Sequence, residues 1–211
     1  YFVLLPGSLL LDWAGPAEAL RIANQLLVRE GGAPRFAMHF VSPSHSNQSS
    51  VGVTLSGLAP MPAHLPQPSW VVLLGQVGQV MDVSHPDAQA ALQWLGSLRL
   101  QLGKLELLTV CAGTLLAAHA GLLGTRHATT HHLHLDELRD LSPQCDVVSN
   151  RVFIQDGPLF SSAGVTTGID LFLHRISETC GPVLAAQVAQ SLVVALRRGP
   201  HDPELSPFLR Y

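Results

Sequence analysis

The stretch ELLTVCAGTLLAAHAGLLG, residues 106–124, places a cysteine between two segments of different hydrophobic pattern. Residues 107–110 are apolar and partly β-branched, which predicts a buried strand, and residues 113–120 carry the small and apolar side chains of a packed helix. Cys111 is therefore expected at a sharp strand-to-helix turn, at the carboxyl edge of a parallel sheet, where open α/β folds bind ligands. We also expect the N–H groups and dipole of the following helix to favour its thiolate form.

Two interpretations of Cys111 are open. The same strand–turn–helix geometry carries the nucleophile of α/β-hydrolases, and Ala112 and Gly113 offer a tight turn little steric opposition. A lone cysteine in an apolar segment is also commonly buried and inert. The position at the turn, rather than within the strand, favours a functional site.

The composition indicates a globular chain with one large core. Of the 211 residues, 47% are hydrophobic and 13% charged, and 12 Lys and Arg against 15 Asp and Glu give a net charge of −3. That charge gives this chain no electrostatic basis for binding DNA by itself. Three widely spaced cysteines predict a reducing cytoplasm, and no apolar run approaches the ~20 residues that span a membrane. The chain begins with Tyr1 rather than Met, so we expect it to be a piece of a longer protein.

Strand and helix patterns alternate along the chain. Strands are predicted at residues 2–5, 36–41, 51–55 and 71–74, with short strands within 147–160. Helices are predicted at residues 16–29, with a proline in the first turn, and at 87–102, 165–179 and 183–196. This alternation predicts an α/β three-layer sandwich, with a mostly parallel flavodoxin-like sheet and helices on both faces. Residues 1–196 form the predicted domain, and the Pro-rich residues 197–211 a linker.

Three pieces of sequence, in this order, resemble the ThiJ/PfpI superfamily, which is similar in fold to class I glutamine amidotransferases. They are LLPGSLLLDWAGPAEAL at residues 4–20, TVCAGTLLAAHAGLLGTRHATTHH at 109–132 and SAGVTTGIDLFLH at 162–174. More narrowly, VCAGTLLAAHAGLL, ATTH and SAGVTTGIDL, with a last helix ending LVVALRRG, resemble the N-terminal sensor domain of AraC-family transcriptional regulators. The resemblance implies a small-molecule ligand, a homodimer, and DNA binding only through a C-terminal helix-turn-helix domain that is absent from this chain.

Two acidic side chains at the first helix are candidate ligand-site residues by this resemblance. A carboxylate near Glu18 often hydrogen-bonds the elbow cysteine in the superfamily, and an aspartate matching Asp12 is a catalytic acid/base in related isonitrile hydratases. Carboxylates in a first helical turn are also stabilised by the helix dipole without any further role.

The turns after two strands are candidate sources of backbone contacts. Gly75 and Gln76 stand where many relatives have the glycines of a Pro-Gly-Gly turn, whose N–H groups could bind an oxyanion. The alternative is an ordinary strand-to-loop turn. Gly164 and Val165 match a superfamily turn that borders the pocket. Ala112 replaces a threonine whose hydroxyl takes part in the isonitrile hydratase reaction, which counts against the enzyme.

Four histidines crowd the segment HATTHHLH at residues 127–134. Adjacent His131 and His132 are expected to point in different directions in any regular structure, and no HExxH pattern is present. We therefore predict no metal and no cofactor. By the resemblance, His131 matches a motif residue near the cysteine, as ligand donor or base, with simple packing as the alternative.

The favoured hypothesis is a regulator's sensor domain that binds a small polar metabolite in a crevice lined by Asp12, Glu18, Gly75, Cys111 and His131. The alternative is a cysteine-dependent hydrolase or isonitrile hydratase-like enzyme. In that enzyme the Cys111 thiolate would attack an electrophilic carbon, Asp12 or His131 would move a proton, and the Gly75 turn would stabilise charge. A redox or stress chaperone of the same superfamily is a third hypothesis.

Overall fold

The computed structural model describes residues 1–195 and 197–205 of the chain. The strands of this part are β1 (Phe2–Val3), β2 (Phe40–Val41), β3 (Ser46–Gln48), β4 (Thr54–Ser56), β5 (Ser69–Leu73), β6 (Leu105–Val110), β7 (His127–Ala128), β8 (Asp146–Val147), β9 (Phe153–Asp156) and β10 (Leu159–Ser162). The helices are α1 (Leu10–Arg29), α2 (Pro86–Gly96), α3 (Gly113–His119), α4 (Leu135–Leu141), α5 (Thr166–Cys180) and α6 (Pro182–Ser191). A 3-10 turn, His132–His134, precedes α4.

The main sheet has the strand order β2-β1-β5-β6-β10-β9. Its pairs are parallel except for the antiparallel β9–β10 hairpin. Helices α1, α5 and α6 contact one another, and α3 contacts both α2 and α4, so two helical groups flank the sheet. All six residues of β6 are buried, as expected for a central strand covered on both faces. The predicted α/β fold class is confirmed.

The first helix begins earlier than predicted. It starts at Leu10, so Pro16 lies inside it rather than in its first turn. Proline has no N–H, and the carbonyl of Asp12 therefore lacks its usual helical donor at that point. The earlier start has a consequence for the site, because it brings Asp12 into the first helical turn, where its side chain is buried.

The segment between the predicted strands 36–41 and 51–55 contains a further strand, β3. β3 and β4 form an antiparallel hairpin in which Asn47 pairs with Leu55. The amide of Asn47 donates a hydrogen bond to the carbonyl oxygen of Leu4 at 2.8 Å and thereby joins the hairpin to the chain after β1. The polar composition of β3 gave no strand signal, because this strand is stabilised by hydrogen bonds such as that of Asn47 rather than by burial of an apolar face.

Two helices end earlier than predicted. α2 ends at Gly96, and the Ser97 hydroxyl bonds the carbonyl oxygen of Trp94 at 2.6 Å. α6 ends at Ser191 because Val193 adopts a positive φ of 55°, which is incompatible with a continuing helix. The predicted end of that helix at residue 196 lies outside the described residues. Among the described residues, no helix combines the length and the apolar character needed to cross a bilayer.

Candidate functional site

Cys111 lies at the predicted elbow between β6 and α3. Its φ is +57°, a conformation that costs a non-glycine residue about 1–3 kcal/mol and that needs support from its surroundings. Two glycines provide that support, because without side chains they let neighbouring chain segments pack closely against the elbow. A Cβ at Gly113 would lie 2.4 Å from the carbonyl oxygen of Leu73, and one at Gly164 would lie 2.2 Å from the Cβ of Cys111. The elbow therefore depends on backbone packing that only glycine permits.

Asp12 is the buried carboxylate of the site and is fully excluded from solvent. Its Oδ2 accepts the N–H of Gly75 at 3.0 Å, and its Oδ1 accepts the N–H of Val165 at 2.9 Å. Burial raises the pKa of Asp12 from its ordinary value of 3.8 to about 6, against the opposing effect of the two N–H donors. One side chain thus joins the start of α1 to the turns that follow β5 and β10.

Asp12 and Cys111 adjoin each other on either side of Gly75. A Cβ at Gly75 would lie 2.9 Å from Oδ2 of Asp12 and 3.0 Å from the Cβ of Cys111. Gly75 is required because there is no room for a side chain at this position, and not because of its backbone φ. The structure therefore brings together Asp12, Gly75, Cys111, Gly164 and Val165, which the sequence analysis assigned to one site.

The thiol of Cys111 differs from the expectation of a thiolate. Burial raises its pKa well above the ordinary value, and the negative charge of Asp12 raises it further, against the smaller opposing effect of the Ala112 N–H. The residue is 4% exposed. The expected lowering of the thiol pKa by the helix dipole was therefore wrong. Burial of the charged thiolate raises the pKa by more than the short helix α3 lowers it.

Backbone donors expected to face a ligand are already engaged. The N–H of Gly75 and the N–H of Val165 both bond Asp12. Gln76 is partly buried and forms an isolated antiparallel bridge with Ser8. Val165 itself has φ +54° and is 38% exposed, an uncommon conformation for a β-branched residue. An oxyanion could use the Gly75 or Val165 N–H only by displacing the Asp12 carboxylate from it.

Glu18 is not part of this cluster, contrary to the sequence-based assignment. Its side chain is 52% exposed and pairs with Arg21 at 2.7 Å on the outer face of α1. Six residues along a helix correspond to a rotation of roughly 240° from Asp12, so one helix cannot direct both carboxylates to the same site.

His131 lies near the elbow through its neighbour Thr130, whose hydroxyl donates to the carbonyl oxygen of Cys111 at 2.9 Å. The ring of His131 is half-buried, which lowers its pKa, and nearby His132 lowers it further. The two rings have centroids 4.2 Å apart. The expectation that these side chains point in different directions was therefore wrong, because His131 is extended (φ −56°, ψ 138°) where it precedes the 3-10 turn.

The described C-terminal segment, residues 197–205, was predicted to be linker and contains contacts that the sequence did not reveal. Arg198 pairs with buried Asp170 at 2.6 Å, and the carbonyl oxygen of Asp202 accepts the N–H of Val152. The Glu204 carboxylate bonds the ring of His132 at 2.9 Å. Pro-rich composition gave no signal for these long-range pairs. Residues 206–211 of the predicted linker lie outside the described residues.

A cavity of about 480 Å³ lies at the opposite edge of the sheet. Its lining includes Trp70, Lys104 and Arg175, and Lys104 immediately precedes β6, whereas Cys111 immediately follows it. Glu106 pairs with Arg175 inside this cavity, and the Arg175 guanidinium stacks 4.1 Å from the ring centroid of Phe160. This cavity is thus remote from the predicted site.

Comparison with known proteins supports the resemblance drawn from the sequence. The chain is 28% identical over 216 residues to the HTH-type transcriptional regulator CdhR of Pseudomonas aeruginosa, covering 96% of this chain and 56% of that protein. It is 36% identical over 112 residues to the isonitrile hydratase of Pseudomonas putida, covering 53% of this chain and 46% of that protein. The chain therefore spans about half the length of the curated relatives it matches. No protein-family model matches it.

Two solved structures have the same fold. The AraC family transcriptional regulator from Pseudomonas putida superposes with a TM-score of 0.73 at 20% identity, over 90% of this chain and 97% of that one. The ThiJ/PfpI family protein from Pseudomonas syringae superposes with a TM-score of 0.73 at 19% identity, over 97% of this chain and 76% of that one. The chain has the ThiJ/PfpI fold and is similar over nearly its whole length to helix-turn-helix transcriptional regulators.

Proposed function

We propose that this chain is the ligand-sensing domain of an AraC-type transcriptional regulator, and that it binds a small polar metabolite next to Asp12 and Cys111. The similarity to a helix-turn-helix regulator over 96% of the chain is the observation that carries this proposal. In the proposed protein, DNA is bound by a further domain, and the net charge of −3 of this chain agrees with that division.

The chemistry of the elbow favours binding over turnover. A nucleophilic cysteine needs an accessible thiolate, whereas Cys111 is buried and its thiol pKa is raised. Stabilisation of an oxyanion needs free N–H donors, and those of Gly75 and Val165 bond Asp12. Ala112 supplies no hydroxyl to the reaction. These features support a site that holds a ligand without transforming it.

The same contacts suggest how a ligand signal would arise. A polar ligand that hydrogen-bonds Asp12 would compete with the N–H of Val165, whose turn opens α5 and has a strained backbone. Release of that turn would alter the start of α5, where Arg198 of the C-terminal segment bonds the Thr166 hydroxyl. Ligand binding would then be coupled to the segment that leads to the proposed DNA-binding domain.

A thermal-shift screen against a metabolite library tests the proposal, because a ligand that binds only the folded state raises the melting temperature. Hits are repeated on Asp12→Asn, on Cys111→Ala, and on Glu18→Gln as a control on the outer face of the same helix. We expect a saturable shift that is lost in Asp12→Asn, retained in Glu18→Gln, and not accompanied by product. Equal shifts in all variants would place the ligand elsewhere.

The second candidate is a cysteine-dependent enzyme, which the 36% identity to an isonitrile hydratase favours. Asp12, with its pKa near 6, could exchange a proton close to neutral pH beside Cys111. A screened compound that wild-type protein consumes and Cys111→Ala leaves intact would establish this candidate and contradict the sensor. A homodimer, expected from the resemblance, is tested by light scattering of the eluted protein.

A further inference from the structure

Two histidines and a glutamate converge from distant parts of the chain at the surface beside the elbow. His131 and His132 follow β7, and Glu204 belongs to the C-terminal segment, 72 positions after His132. Their candidate ligand atoms, one from each side chain, all lie within 4.8 Å of one another. Two imidazoles and one carboxylate are a set of donors that suits zinc and neighbouring divalent transition ions.

The backbone conformation around these residues brings the side chains of His131, His132 and Glu204 together. Extended His131 precedes the 3-10 turn, so the two imidazole rings face each other with centroids 4.2 Å apart. His132 bonds Glu204 twice, from its backbone N–H at 3.2 Å and from its ring Nδ1 at 2.9 Å. The backbone contact positions the carboxylate independently of the imidazole ring, so rotation of the ring does not release Glu204.

Burial of the Glu204 carboxylate favours a bound cation beside it. The Glu204 side chain is 6% exposed. Within residues 1–195 and 197–205, both of its side-chain hydrogen bonds come from His132, one from the backbone N–H and one from the ring. A carboxylate removed from water needs a compensating charge, which a divalent ion held by the same three side chains would provide.

We propose that His131, His132 and Glu204 bind a divalent transition metal ion, with Zn²⁺ as the preferred ion and water as the fourth ligand. Metal–nitrogen and metal–oxygen bonds of roughly 2.0–2.2 Å require the donors to be about 3.4 Å apart in a tetrahedral site. Coordination through both atoms would replace the 2.9 Å hydrogen bond between Nδ1 of His132 and Oε1 of Glu204, with the ring proton shifting to Nε2. The other donor pairs, which lie within 4.8 Å, would contract toward about 3.4 Å. The site would fasten the C-terminal segment to the loop after β7, and it does not depend on the proposed sensing function.

The test is a calorimetric titration of the chelator-treated whole chain with Zn²⁺. We expect one ion per chain, and an affinity reduced about tenfold or more in each of His131→Asn, His132→Asn and Glu204→Gln. His64→Asn is the matched control, because His64 is an exposed histidine remote in sequence from the cluster. The control is expected to bind as the wild type does.

The Co²⁺ absorption spectrum of the wild-type chain provides a second measurement that needs no variant. A tetrahedral site of nitrogen and oxygen donors gives visible d–d bands without the near-ultraviolet charge transfer that thiolate ligands produce. Absence of Zn²⁺ binding in the wild type, equal affinity in the three ligand variants, or a thiolate spectrum would each overturn the proposal. The last result would assign the ion to the cysteines instead.

Discussion

The carboxylate of Asp12 accepts the N–H of Val165, 153 positions later in the chain, at 2.9 Å. This bond connects the first helix to the turn that opens α5, beside the elbow cysteine. It makes Asp12 a structural link as well as a candidate ligand contact, and several properties of the protein should depend on it.

Asp12 should give folding a pH dependence below neutrality. Because its folded-state pKa is about 6 and its ordinary value 3.8, its contribution to stability is fully present below pH 3.8 and is lost as pH rises to about 6. The shift corresponds to roughly 3 kcal/mol. Relative to Asp12→Asn, the wild type should gain stability as pH falls from 7 to 4. Urea unfolding of both proteins across that range measures the difference, and a constant difference would contradict the assignment.

Gly164→Ala should destabilise the elbow. The new Cβ would lie 2.2 Å from the Cβ of Cys111, at a backbone φ of +93°. Gly181→Ala is the control for backbone strain, because Gly181 has φ +95° and nothing within 4 Å of the corresponding position. We expect the loss in Gly164→Ala to exceed that of the control by about 1–3 kcal/mol in free energy of unfolding. Equal losses would show that the elbow tolerates the added atom.

Cys111 should be the least reactive of the three cysteines toward iodoacetamide. It is 4% exposed and burial raises its thiol pKa, whereas Cys180 is only partly buried. Mass spectrometry after timed alkylation at pH 7.5 should find Cys180 modified first. The alkylation rate of Cys111 should be at least about tenfold lower than that of Cys180. Asp12→Asn should accelerate Cys111, since it removes a charge that raises the thiol pKa. Faster labelling of Cys111 in the wild type would favour the enzyme.

Arg198→Ala should cost far more stability than loss of a surface pair. Asp170, whose side chain is 3% exposed, would be left without its guanidinium partner. Removal of one member of such a buried pair costs about 3–5 kcal/mol, and the partial exposure of Arg198 places the expected loss at or below about 3 kcal/mol. Arg139→Ala, which breaks the exposed pair with Asp136, is the control and should stay within about 0.5 kcal/mol. Denaturant unfolding compares them, and similar losses would contradict a structural role for the C-terminal segment.

The elbow and the parallel sheet were predictable because their signals are local. Four apolar residues, a cysteine and a run of small residues specify a buried strand, a turn and a helix, each from its own periodicity. Gly75 was likewise placed after a predicted strand, at the edge where parallel topology gathers strand ends, whereas Gly164 and Val165 were assigned through the resemblance to the superfamily. The start of α1 was misplaced, since Pro16 indicated a first turn that tertiary packing extended backwards to Leu10.

Only the tertiary structure decided which charges are buried and what they meet. Asp12 and Glu18 are both carboxylates near the start of the first helix. Asp12 is buried and accepts hydrogen bonds from two backbone N–H groups, whereas Glu18 pairs with Arg21 at the surface. Glu204 meets His132 because a Pro-rich segment returns to the domain, and no periodic pattern encodes that return. The sequence alone determined the alternation of the main strands and helices and the position of Cys111 at the turn between a strand and a helix. Long-range packing decided the protonation of its thiol and the neighbours of each carboxylate, because desolvation and pairing depend on chain segments far apart in sequence.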